Sequence, residues 1–139
     1  MISFNYETNF NLNSEKDYAD WITRLILFHQ CDFDEINYIF CDDEYLHRIN
    51  VEFLQHDTYT DIITFDNSLG NTLISDIFIS IERVKENAES YDVSFDNELK
   101  RVMSHGVLHL IGFMDKSDTD KKEMRLKEEE AINMFHVEQ

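Results

Sequence analysis

The chain of 139 residues contains no proline and only three glycines. Its helices and strands must therefore be ended by Asn, Asp, Ser and those few glycines. Boundaries become legible wherever a hydroxyl or acidic residue precedes a periodic apolar run. Residues 2–7 alternate and predict a strand. Ser14, followed by Glu15, Lys16 and Asp17, predicts a capped helix to about Gln30. Tyr18, Trp21, Ile22, Leu25, Ile26 and Phe28 give that helix an apolar face. Residues 35–41 alternate again as a strand. Asp42 and Asp43 can cap a helix to about Gln55, with Tyr45, Leu46, Ile49, Phe53 and Leu54 as its apolar residues.

Further on, residues 61–65 read as a short strand, 67–71 as a turn and 72–80 as a β-rich run. Residues 81–90 predict a helix, and Asp92 to Ser94 separate it from a long one at about 95–111. Ser117 opens a last helix with Asp118 and Asp120 in its first turn, where acids favour the helix dipole. Met124, Ala131, Ile132 and Phe135 share one face of it and should point inward, with Leu126 on the opposite side. The acidic run from Asp118 to Glu130 reads as a solvated face with i, i+4 pairs. About four strands and four to five helices predict one α+β domain over residues 1–139, a mixed sheet packed with helices.

Composition narrows the function. At 42% hydrophobic with 11 Phe, the chain can bury a core, which sets it apart from disordered sequences. Its net charge of −17 rules out binding a polyanion through the global field. A nucleic-acid ligand would need a local basic patch or a metal. Cys31 and Cys41 form neither a disulfide framework nor a CxxC pair. The N-terminus lacks a basic region and a long apolar stretch, and no apolar run approaches the ~20 residues needed to span a bilayer. A soluble, cytoplasmic protein is expected, with no membrane partner.

The stretch that carries chemistry is HGVLHLIGFMD at 105–115. His105 and His109 stand four apart on a predicted helix and so share a face. Two imidazoles there can hold one zinc ion. Gly112 can adopt positive φ, end the helix and return the chain across its own end. Asp115 follows three residues later as a third ligand. Three protein ligands leave a fourth position open, the mark of a catalytic rather than a structural zinc. One Zn²⁺ per chain is expected. The spacing resembles that of the metzincin peptidases, HExxHxxGxxH, some of which end in Asp. Where they carry the general-base Glu, this chain has Gly106, which cannot deprotonate a water. Peptide hydrolysis is therefore not expected.

A Gly directly after the first His, in HGxLHLxG followed by an acidic helix, resembles the YbeY family of endoribonucleases. INVEFLQHDTYTDIITF at 49–65 is similar to that family's LNxxFRxKDxPTDVLSF, with Asn50, Phe53, Asp57, Thr60, Asp61 and Phe65 on its positions. LISDIFIS at 73–80 is similar to LGDIxIS, with Asp76 aligned. The resemblance implies a zincin-like sheet with packed helices, a bound zinc and hydrolysis of single-stranded RNA. It further implies a role in 16S ribosomal RNA maturation and ribosome quality control, with ribosomal RNA as substrate and the ribosome or its proteins as partners.

The chain departs from the family at three positions. The usual third ligand is His, where this chain has Asp115. The Arg after the Phe, thought to handle the RNA phosphate, is Leu54. The Pro before Thr is Tyr59. His56, two residues from the missing Arg, is a candidate catalytic or substrate-contacting residue, or else an exposed polar residue at a helix end. Asp57 and Asp61 could orient a ligand or a water, or could be loop and cap residues, and Thr60 is similar. Two neutral His, Asp115 and Zn²⁺ leave a local positive charge for a phosphate, and Lys100, Arg101, Lys116, Arg83 and Lys85 could form a cationic rim. Two other functions stay open: a non-catalytic ribosome-associated factor with structural zinc, and a zinc peptidase that takes its base from elsewhere.

Overall fold

Serine and aspartate start the helices, as a proline-free chain requires, in the computed structural model, which describes residues 1–136. The elements are β1 (Ile2–Tyr6), α1 (Glu15–Phe28), β2 (Asp32–Cys41), α2 (Asp43–Leu54), β3 (Ile62–Asp66), β4 (Thr72–Ser80), α3 (Ile81–Tyr91), α4 (Phe95–Ile111) and α5 (Asp118–His136). The Ser14, Asp42, Ser80 and Ser94 side chains each accept a backbone N–H from the first turn of α1, α2, α3 and α4. Before α5, the Ser117 hydroxyl accepts the Asp120 N–H at 3.0 Å while the Asp120 carboxylate accepts the Ser117 N–H at 3.4 Å. That reciprocal pair satisfies two donors a helix start otherwise leaves open. The C-terminal ends depart from expectation. Besides Gly112, two glutamines and an aspartate, Gln30, Gln55 and Asp92, take left-handed backbone with φ of 57–62°. With so few glycines, the chain accepts that strain at ordinary residues.

The strands form one four-stranded sheet in the order β1-β2-β4-β3. β1, β2 and β4 are parallel, and β3 lies antiparallel to β4 at the edge. Parallel neighbours need long crossovers, which α1 provides between β1 and β2. The expected α+β class, with a four-stranded mixed sheet and five helices, holds. β2 begins at Asp32, earlier than the alternation from residue 35 predicts. Its first residues pair with Thr72 and Leu73 of β4 through a register irregularity between Phe33 and Ile36. Backbone pairing extends the strand through exposed acidic residues that carry no alternating apolar signal.

Both faces of the sheet are covered, unequally. On one, Ile36, Tyr38, Phe40, Ile77 and Ile79 pack with Trp21, Ile22 and Leu25 of α1 and with Val102, Met103 and Val107 of α4. Two buried polar handles lock this side. The Tyr38 hydroxyl donates to the Met103 carbonyl at 2.9 Å, and the Trp21 indole donates to the Ala131 carbonyl at 2.7 Å. Thus β2 holds α4, and α1 holds α5. On the other face α2 covers a smaller cluster of Cys41, Leu46 and Ile63, with Tyr45, Phe65 and Phe78 against it. The apolar residues of the last turn of α2 are not buried, with Phe53 63% exposed and Leu54 39%. That turn also borders a cleft, which Leu54 helps to line. Cys31 and Cys41 are both free. No helix among the described residues is long and apolar enough to cross a membrane.

Gly106 sets how closely α4 approaches the edge strand. A Cβ there would stand 3.0 Å from Ile62 Cδ1, 3.3 Å from Ile77 Cγ2 and 3.3 Å from Thr64 Oγ1. We expect Gly106→Val to lower the unfolding free energy by about 1–3 kcal/mol through overpacking. Gly106→Ala should change it less, since alanine recovers up to ~1 kcal/mol of helix propensity. Urea unfolding of the two variants checks this ordering.

Candidate metal centre and cleft

The buried face of α4 brings His105 and His109 to its C-terminal end, one turn apart. Gly112 then takes φ 126°, and its N–H closes the helix on the carbonyls of Leu108 and His109. An added Cβ at Gly112 meets nothing within 4 Å, so the backbone conformation alone calls for glycine. The reversal carries Asp115 back over the histidines. Its Oδ2 lies 3.3 Å from His105 Nε2 and 3.4 Å from His109 Nε2. One donor atom from each of the three residues lies within 4.8 Å of the others. Ligands held about 2.0–2.1 Å from a tetrahedral ion stand about 3.3 Å apart. Both measured edges match that spacing, so the three side chains could hold one metal ion.

A residue outside the sequence motif orients this group. Glu128 of α5 is 2% exposed, and its Oε2 accepts the His105 Nδ1–H at 2.6 Å. A carboxylate only accepts, so the proton sits on Nδ1 and the Nε2 lone pair faces His109 and Asp115. The 118–130 run is therefore not a wholly solvated face. Glu128 falls four residues after Met124 and three before Ala131, both buried, and so lies on the inward stripe of α5. That position was its signal in the sequence. Burying a lone carboxylate is costly, and Arg101 compensates it. The guanidinium engages Glu98 through three bonds of 2.6, 3.0 and 3.1 Å, reaches Glu128 at 3.4 Å and approaches Asp61 at 3.6 Å. Burial works against the Arg101 charge, but its bonds to Glu98 and the charges of Glu128 and Asp61 raise its pKa above the usual arginine value. For Asp61, burial pushes the carboxyl pKa up, and Arg101 and His105 offset part of that rise.

The three residues open on a cleft of about 610 Å³ between α4, β3 and the segment after α2. His56 and Asp61 line it with His105, His109 and Asp115, so the structure brings His56 to the same cavity. Asp57 is not among the lining residues. Its carboxylate instead takes a 2.8 Å bond from His47, whose ring stacks on Tyr59 at 4.3 Å. Asn50 is buried and donates to the Thr58 carbonyl at 2.8 Å, which ties the segment to α2. Asp76 accepts from Asn37 at 3.0 Å across the sheet. Among the described residues, no Lys or Arg lines the cleft. None of the five residues that could have formed a cationic rim lines the cleft. Lys100 is buried against Phe135 and Tyr18. Arg101 serves the carboxylates, and Arg83 is held by Asp43 and Glu86. Lys85 and Lys116 are exposed. Carboxylates hold Arg101 and Arg83, and aromatic rings hold Lys100.

Two substitutions test the geometry. Glu128→Gln keeps the shape but removes the charge, and should weaken metal affinity about 10–100-fold in a chelator competition. Gly112→Ala should weaken metal binding with the helix content retained, because a non-glycine residue at that φ costs about 1–3 kcal/mol unless the turn shifts and takes Asp115 with it. Metal titration beside circular dichroism reads both effects.

Comparison with known proteins places this arrangement in a family. The family model described as Endoribonuclease YbeY matches residues 3–136. The chain is 58% identical over 139 residues to Endoribonuclease YbeY of Flavobacterium johnsoniae, covering 100% of both chains. It is 58% identical over 138 residues to that of Christiangramia forsetii, covering 99% of this chain and 96% of the relative. It is 43% identical to that of Cytophaga hutchinsonii, covering 94% and 92%. The fold is similar to the solution structure of TM1509 from Thermotoga maritima, with a TM-score of 0.66 and 24% identity over 97% of this chain and 89% of that one. The motifs at 49–65, 73–80 and 105–115 thus sit in a chain that belongs, over nearly its whole length, to the YbeY family.

Proposed function

We propose that this protein is a zinc-dependent endoribonuclease that hydrolyses single-stranded RNA, acting in 16S ribosomal RNA maturation and ribosome quality control in the cytoplasm. The observation that carries the reading is the convergence of His105, His109 and Asp115 at tetrahedral spacing on the wall of an open cleft. Three N/O donors with one position left open suit a catalytic zinc, one per chain. Bound there, the ion would supply a Lewis acid for a phosphoryl oxygen and a more acidic water.

The remaining roles fall to the chain's own side chains. His105 is aimed by Glu128, and Asp115 by the turn at Gly112. Asp61 lines both the cleft and a smaller cavity beside His105 and Asp115. Its Oδ2 is tethered by Asn87 at 3.3 Å and by Arg101, so it can accept a hydrogen bond from the attacking water without swinging away. His56 is exposed on the opposite wall, where an imidazole can donate to a phosphate oxygen. Gly106 argues against peptide cleavage. It supplies no base, and the space beside it is filled by Ile62, Ile77 and Thr64.

Leu54 in a cleft without Lys or Arg favours a second reading, a ribosome-associated factor that keeps its zinc but does not cut. Single-turnover assays on structured and unstructured RNA, with and without chelator, separate the two. We expect cleavage of the unstructured RNA that chelator abolishes. A zinc-loaded protein that leaves both RNAs intact would support the factor instead. Metal analysis should find one zinc per chain and none in His109→Ala, since two ligands hold zinc poorly. Full occupancy in that variant would remove the site assignment. Asp61→Asn should keep its zinc and lose turnover. Casein should remain intact, and zinc-dependent casein cleavage would refute the choice of substrate. In cells lacking the protein, unprocessed 16S precursor should accumulate and be cleared by wild type but not by His109→Ala.

A further inference from the structure

The metal centre faces two ways. Besides the large cleft, His105 and Asp115 line a second groove of about 230 Å³ between α4 and α5. The two sides differ in charge. The large cleft has Asp61, Asp66 and Asp115 and no cationic side chain among the described residues. The second groove carries Lys121 and Arg125 on one face of α5 and Arg101 on α4, beside the carboxylates of Asp115 and Glu128, and so holds more cations than acids. Four residues apart, the Lys121 and Arg125 side chains project side by side along the groove.

These two cations are not consumed by the fold. Lys121 makes no ion pair among the described residues, and its neighbour Arg125 is 54% exposed. The partner of Arg125 is Glu128 at 3.8 Å, a carboxylate already bonded to His105 and Arg101. Lys100, Arg101 and Arg83, by contrast, are buried or paired. In a chain of net charge −17, unspent cations beside the metal ligands are what can offset the repulsion of a polyanion at contact range.

We propose that the α4–α5 groove is a backbone-phosphate subsite for the RNA strand, with Lys121 and Arg125 contacting phosphates on one side of the scissile bond. The proposal rests on the reading of the chain as an RNA-cleaving enzyme. The strand crosses the metal centre asymmetrically. One flank is held electrostatically in the groove, and the other lies in the cation-free cleft, where affinity comes from groups other than Lys or Arg. An acidic protein can in this way hold RNA without a basic surface, because the attraction is confined to the point of reaction.

The test uses fluorescence anisotropy with a single-stranded RNA from low to moderate salt, on the full zinc-loaded chain. Variants are Lys121→Gln with Arg125→Gln, and a control pair of equal charge change, Lys85→Gln with Lys122→Gln, at exposed positions outside both cavities. Each phosphate contact on a single strand contributes roughly 0.7 to the slope of log affinity against log salt. The groove pair should flatten the slope by about 1.4 and weaken binding roughly 25-fold at 0.1 M salt, with zinc content unchanged. The control pair should leave the slope in place, and Lys121→Arg should behave as wild type. A groove pair indistinguishable from the control pair overturns the subsite. So does loss of zinc from the groove pair, which would assign the two cations to holding Glu128. A wild-type protein that neither binds nor cuts RNA fails the RNA reading itself. Wild-type cleavage with an unchanged slope removes the subsite alone.

Discussion

One guanidinium ties three separate parts of the chain together. Arg101 reaches Glu98 on its own helix, Glu128 on α5 and Asp61 ahead of β3, and is itself largely buried. Glu98 and Glu128 are 1% and 2% exposed, so neither has water to screen it. In comparable buried pairs, removing one partner costs about 3–5 kcal/mol because the other charge is stranded. The metal centre inherits this arrangement. Arg101 offsets the buried charge of Glu128, whose hydrogen bond fixes which nitrogen of His105 carries the proton. The centre is thus prepared by charges that never touch the metal.

The same economy of cations shapes the surface. With 12 basic against 29 acidic residues, the cations nearest the candidate site are largely committed elsewhere in the fold. Lys100 covers aromatic rings, Arg83 closes the α2–α3 junction, and Arg101 serves the buried acids. A phosphate approaching the large cleft meets carboxylates and imidazoles. A divalent ion held by His105, His109 and Asp115 would supply attraction there. Protein-wide charge and local function point in opposite directions and are reconciled over the short range of screened interactions.

Close approach of α4 to the sheet links fold to site. Gly106 lies against Ile62, Thr64 and Ile77, where the metzincin pattern would place an acid. The same close packing shapes the cleft wall, since Ile62 and Thr64 also line it. The missing base is therefore more than a changed residue. The helix sits where a longer side chain at that position would have to push aside the side chains of Ile62, Thr64 and Ile77.

Much of this was legible in the residues themselves. The α+β class, the span of α4 and the grouping of His105, His109 and Asp115 follow from local rules: apolar periodicity, hydroxyl and acid caps, and the i, i+4 geometry closed by a glycine turn. Such rules act between neighbours in the chain, so the sequence determines them by itself. The early start of β2 is different, because pairing with β4 extends it through residues with no pattern of their own. So is the destination of the cations. Arg101 was one of five candidates for a cationic rim, and Glu128 was read as part of a solvated run. The stripe that runs through Met124, Glu128 and Ala131 was visible, but its partner on α4, 23 residues from Glu128, was not. Which charges meet depends on how α5 docks on α4, a placement to which the Trp21–Ala131 bond between α1 and α5 also contributes. Only the tertiary structure could decide it, because electrostatic pairing follows distance in space, and local sequence carries no record of that distance.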